Sequence, residues 1–95
     1  MKTIRKKPGK KLIRCLVYLI KEDEGGFSVL AANLPGAASQ GDTQEEALAN
    51  IVDAIEGVMA AYHAAGEEVP WTEEPRPKDF PHITEHWVVV HAEPE

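Results

Sequence analysis

The chain has 95 residues, 43% of them apolar, with two Trp, two Tyr and two Phe. That suits one folded domain around a single modest core, and excludes a disordered chain or a second core. The net charge of −6 is unevenly spread: residues 1–21 hold eight of the ten Lys and Arg and no Asp or Glu, whereas residues 22–95 carry sixteen acidic against two basic residues. The basic arm "MKTIRKKPGKK", residues 1–11, is short and lacks interleaved aromatics, which fits a flexible, solvated tail better than a nucleic-acid contact. From Leu12 the stretch "LIRCLVYLI" has Arg14 as its one charge and predicts a strand central in its sheet and covered on both faces. The run Leu16 to Ile20 is too short to cross a bilayer, and no secretory signal follows the basic start. Cys15 is the lone cysteine, so no internal disulfide can form and a cytoplasmic location is expected; within its apolar run it reads as a buried small hydrophobe.

"KEDEGG" is a polar cluster ending in two glycines and reads as a hairpin connection. "FSVLAANL" predicts a second strand, with Phe27, Val29 and Ala31 on one face and Ser28, Leu30 and Ala32 on the other. Leu34-Pro35-Gly36 then reverses the chain, because proline fixes φ for the second position of a turn and glycine supplies a positive φ after it. "AASQG" follows as a short third strand, completing an antiparallel meander.

Thr43 is a good N-cap and Glu46 stands three residues on, the spacing of a capping box; Asp42, Glu45 and Glu46 also oppose the positive end of the helix dipole. Leu48, Ile51, Val52, Ile55, Val58, Met59 and Tyr62 form an apolar stripe, while Glu45, Asn50, Asp53 and Glu56 fall away from it toward solvent. Gly57 interrupts the helix and suggests a close approach there; Gly66 and Pro70 mark its end. Residues 67–82 hold four prolines and read as a wrapping connector with Trp71 and Phe80 as apolar pins, and "TEHWVVVHA" predicts a last strand ending near Ala92. The order is β-β-β-α-β, an α+β sheet with one helix on one face, in a single domain over residues 12–92.

The aromatic-x-Val strand, "LPG", "SQGDT", "EEAL", "NI" and "AI" between Phe27 and Ile55 together resemble the antitoxin domain of the HicB family, over roughly residues 12 to 66 and the last strand. Leu34, Pro35 and Gly36 match that family's turn after strand two; Ser39, Gly41, Asp42 and Thr43 match its strand-three exit; Glu46, Ala47, Leu48, Asn50 and Ile51 match its helix. Asn33 and Ala37 stand where the family often has Asp and Cys. The resemblance implies a partial ribonuclease H-like fold, dimers, and a partner: a small, basic HicA-type toxin of double-stranded RNA-binding shape, whose mRNA cleavage the antitoxin blocks. Many relatives append a DNA-binding module that this sequence lacks after its last strand, so promoter binding by this chain is not expected.

Read without the resemblance, the residues give no catalytic, cofactor or metal site. A two-metal nuclease needs converging carboxylates, and strand one has none between Leu12 and Ile20. His63, His82, His86 and His91 form no paired-ligand spacing with Cys15, and His86 and His91 fall on opposite faces of a strand. Ser39 has no triad arrangement around it. The sequence therefore favours a non-enzymatic antitoxin over a stand-alone regulatory or scaffold protein without a toxin, and over a small metal-dependent nuclease. Asp53, Glu56, Glu67 and Glu68 are the candidate partner-binding residues.

Overall fold

The structure is a computed structural model describing residues 11–72 and 82–92, so the arm up to Lys10 and the Phe80 pin lie outside the described residues. Four strands and a helix follow in the order β1 (Lys11–Lys21), β2 (Phe27–Ala31), β3 (Ala38–Gly41), α1 (Gln44–Ala64) and β4 (Ile83–Ala92). They form one antiparallel sheet ordered β3-β2-β1-β4, with β1 central as its apolar run implies. The helix crosses from the β3 edge so that β4 can add beside β1.

Period-two alternation sorts the strands onto two apolar faces. Cys15, Val17, Leu19, Val29, Ala31, Val88 and Val90 belong to the cluster that includes the helix, and Tyr18, Ile20, Ala32 and Ile83 are buried in a second cluster. The helical stripe is centred one position earlier than its largest side chains suggest. Ala47, Ile51, Ile55 and Met59, at i+4 spacing, are buried, while Leu48, Val52 and Val58 pack at its margin. Fully burying residues such as Ile51 and Ile55 contributes about 1.5–3 kcal/mol each.

β2 ends at Ala31, earlier than expected, because the chain turns inward. Ala32 still donates to the Leu16 carbonyl at 2.8 Å, but Leu34 drops into the core at 1% exposure. The turn then closes by Ala37 N–H donating to the Leu34 carbonyl at 3.1 Å, with Gly36 at φ 92 in its third position, a type II turn. The helix stops in a Schellman arrangement: Glu67 N–H reaches the Tyr62 carbonyl at 2.9 Å and Gly66 N–H the His63 carbonyl at 3.0 Å, with Gly66 at φ 73.

Two expectations are corrected. A Cβ on Gly57 would meet nothing within 4 Å, since Gly57 lies on the exposed side of the helix, and nothing in the structure explains the glycine there. Trp71 is 42% exposed; Val69 packs against the core in its place, and Thr72 N–H bonding the Asn33 carbonyl at 2.9 Å ties the segment down.

Candidate functional site

The motif residues between Leu34 and Ile51 form a joint between β3 and the helix. Thr43 Oγ1 accepts from Glu46 N–H at 3.1 Å, and Glu46 Oε1 accepts from Asp42 N–H at 2.7 Å, one residue before the usual capping-box partner. Asn50 Nδ2 donates to the Gln40 carbonyl at 2.8 Å, so Asn50 is half-buried and spent on the strand rather than presented to solvent. Gly41 lies against the first helical turn, where a Cβ would sit 2.5 Å from Ala47 N. Ser39 is half-buried opposite Val29. Each of these residues has a structural task, which accounts for the density of the motif. Asn33 Oδ1 is buried without a partner; an ionised Asp there would face a larger desolvation penalty.

The four acidic candidates do not gather. Asp53 is exposed on the helix, and Glu67 and Glu68 are exposed beyond its end. At 1.5 Å per residue, about 16 Å of chain axis separates Glu56 from Glu67. Glu56 itself is engaged: its Oε2 accepts from His91 N–H at 2.8 Å and lies 3.2 Å from His91 Nδ1. The backbone N–H of His91 is the main influence holding the Glu56 carboxyl below its usual range; partial burial opposes it and the imidazole adds to it.

Sequence reasoning missed a denser acidic end. The β1–β2 hairpin folds against the β3–α1 junction, where Gly26 approaches the Gly41 carbonyl, and the two line a shallow cleft that includes Glu22, Ser28, Gln40 and Asp42. Exposed Glu22, Asp23 and Glu24 thus stand near exposed Asp42, Glu45 and Glu46. Their proximity depends on hairpin packing, so spacing alone gave no signal. Ser28 Oγ donates to Glu22 Oε2 at 2.5 Å, fixing one of these carboxylates.

The remaining chemistry is spare. Cys15 is 3% exposed and burial pushes its thiol pKa up, which suits a core residue. His86 faces the helix side opposite Val17, with Nε2 2.9 Å from Thr84 Oγ1, and His91 falls on the other face opposite Leu12. Among the described residues no three His, Cys, Asp or Glu side chains converge as a metal site, and no described helix is long and apolar enough to cross a membrane.

Comparison with known proteins follows the same joint. No family model matches the chain. It is 41% identical over 61 residues to a UPF0150 protein of Synechocystis sp., covering 64% of this chain and 77% of that one. A UPF0150 protein of Thermoplasma acidophilum is 35% identical over 54 residues, covering 57% of this chain and 78% of that relative. Antitoxin HicB 1 of Photorhabdus laumondii is 38% identical over 60 residues, but those span 63% of this chain and 39% of the antitoxin. In structure, the N-terminal domain of Burkholderia pseudomallei antitoxin HicB superposes with a TM-score of 0.67 at 22% identity, over 80% of this chain and 95% of that domain. By these relatives and this fold, the chain belongs to the UPF0150 family of HicB-like proteins and is a HicB-like antitoxin domain.

Proposed function

We propose that this chain is a non-enzymatic antitoxin that binds a small, basic HicA-type toxin and neutralises it by covering its mRNA-cleaving surface. The observation that carries this reading is the kinship with an antitoxin HicB, joined to an acidic body on the same fold. Residues 22–95 have a local balance of −14, which draws a basic protein in and repels competing phosphate backbones. Asp53, Glu67 and Glu68, with the acidic end at Glu22 to Glu24, steer the encounter; Glu56 contributes less because His91 already holds it. The chain acts in the cytoplasm, where its lone reduced Cys15 is at home, and self-associates as a dimer.

The test is co-expression with the short, basic, His-containing protein encoded beside it. The chain should restore growth arrested by that neighbour and co-purify with it. Asp53→Lys combined with Glu67→Lys and Glu68→Lys should slow association several-fold at low salt. Failure to bind or rescue sinks the reading and leaves a toxin-free scaffold protein. RNA cleavage by the purified chain with Mg²⁺ would overturn its non-enzymatic part.

A further inference from the structure

The outer edge of β4 is defined by hydrogen bonds on either side of β1. Lys21 donates to the His82 carbonyl at 3.3 Å, and Ala32 donates to the Leu16 carbonyl at 2.8 Å. Odd-numbered residues of β1 therefore bond to β4 and even-numbered ones to β2. In the observed register, residues 84, 86, 88 and 90 of β4 face β1, while Trp87, Val89 and His91 turn their backbone groups outward. His91 N–H is occupied by Glu56. Trp87 and Val89 have no edge partner among the described residues. Their side chains are 58% and 52% exposed, beside Leu12 at 62%. Folded proteins usually blunt such an edge with Lys, Pro or a bulge. Here Glu56 blunts position 91, and positions 87 to 89 stay open.

We propose that a second copy of this chain adds to the sheet at this edge, β4 against β4, about a two-fold axis at Val88. This names the surface for the self-association proposed above and does not depend on the toxin. A two-fold centred on Trp87 would set that ring against itself and Glu85 against an apolar Val89. One centred on Val89 would set Trp87 against His91, whose N–H is already held. Centred on Val88, Trp87 meets the partner's Val89 and Glu85 meets the partner's His91, an apolar pair and a charge-complementary pair repeated by symmetry. Trp87 and Val89 then exchange about four main-chain hydrogen bonds with their counterparts, and Glu56 ends the pairing at His91. Arg14, its guanidinium 5.0 Å from the Trp87 ring centroid, holds that ring in place over the sheet.

Analytical ultracentrifugation of the full chain alone, across about a hundredfold concentration range, tests this. A dimer is expected, tightening as salt screens the repulsion between two copies of net charge −6. Val89→Pro removes an N–H the monomer does not use, and Trp87→Lys adds a charge to the edge; each should raise the dimer Kd at least about tenfold with an unchanged circular dichroism spectrum. If the proline variant misfolds, Trp87→Lys carries the test. Trp87→Cys mixed with Val89→Cys should cross-link. A monomer throughout, including one that uses this edge only for another protein, overturns the proposal, as does a dimer that the folded edge variants leave intact. Because no toxin is present, failure of growth rescue leaves this result standing.

Discussion

Gly41→Ala probes the joint between strand and helix most directly. The added Cβ would lie 2.5 Å from Ala47 N and 2.9 Å from both Ala47 Cα and Glu46 C, all backbone atoms that cannot rotate away. The first helical turn must therefore lift by about half an ångström merely to reach the closest tolerable contact. Overpacking of this kind costs about 1–3 kcal/mol, and displacing the turn also strains the Thr43–Glu46 cap, worth about 1 kcal/mol. Replacing glycine stiffens the unfolded chain and returns about 0.4–1 kcal/mol. The net loss is about 2 kcal/mol, or a Tm lowered by roughly 8–16 °C for a domain of this size. Guanidinium unfolding followed by far-ultraviolet circular dichroism, with thermal melts, measures it. A Gly41→Ala protein as stable as the original would refute the claim that this glycine is required by the helix backbone.

Four further expectations follow from the same contacts. Gly57→Ala makes the same chemical change on an open helix face and should stabilise by about 1 kcal/mol, raising Tm by several degrees. Asn50→Ala removes the bond to the Gln40 carbonyl and should cost about 1 kcal/mol in chemical denaturation; no change would mean the bond does not form in solution. Thr43→Ala should cost a similar amount through loss of the N-cap. Glu56→Gln tests the sign of a titration. Because the folded-state carboxyl is held below its ordinary range, its contribution is complete above that range and disappears as pH falls through the lowered value. The stability gap between wild type and Glu56→Gln should thus be widest near neutral pH and close in acid; a gap that widens in acid would contradict the assignment.

The legible parts of this fold were the local ones. The cap at Thr43, the Pro35-Gly36 turn and the glycine stop at Gly66 each depend on contacts within a few residues, and all three occur as the sequence implied. The central place of β1 followed from its continuous apolar run. What failed or went unseen was non-local. Gly41 could be recognised as a strand exit, but its neighbour Ala47 is set by the angle at which the helix crosses β3. Glu56 looked like a solvated helix residue because His91, 35 positions away, reaches it only after β4 joins the far side of β1. Trp71 was expected to pin the connector on size alone, yet backbone geometry delivers Val69 to the core.

The two proposed surfaces also occupy opposite edges of the sheet. The acidic helix start follows β3 at one edge, and the apolar Trp87–Val89 segment lies on β4 at the other. A dimer through β4 therefore keeps both acidic ends outward, each able to meet its own basic partner. Salt should act on the two contacts in opposite directions, weakening the encounter of unlike charges and easing the approach of two like-charged copies. Trp87→Lys should accordingly halve the mass of the assembly while keeping one toxin per chain, measured by light scattering of the purified complex. A variant that lost the toxin together with the dimer would show that both contacts share one surface, and would refute their separation across the sheet.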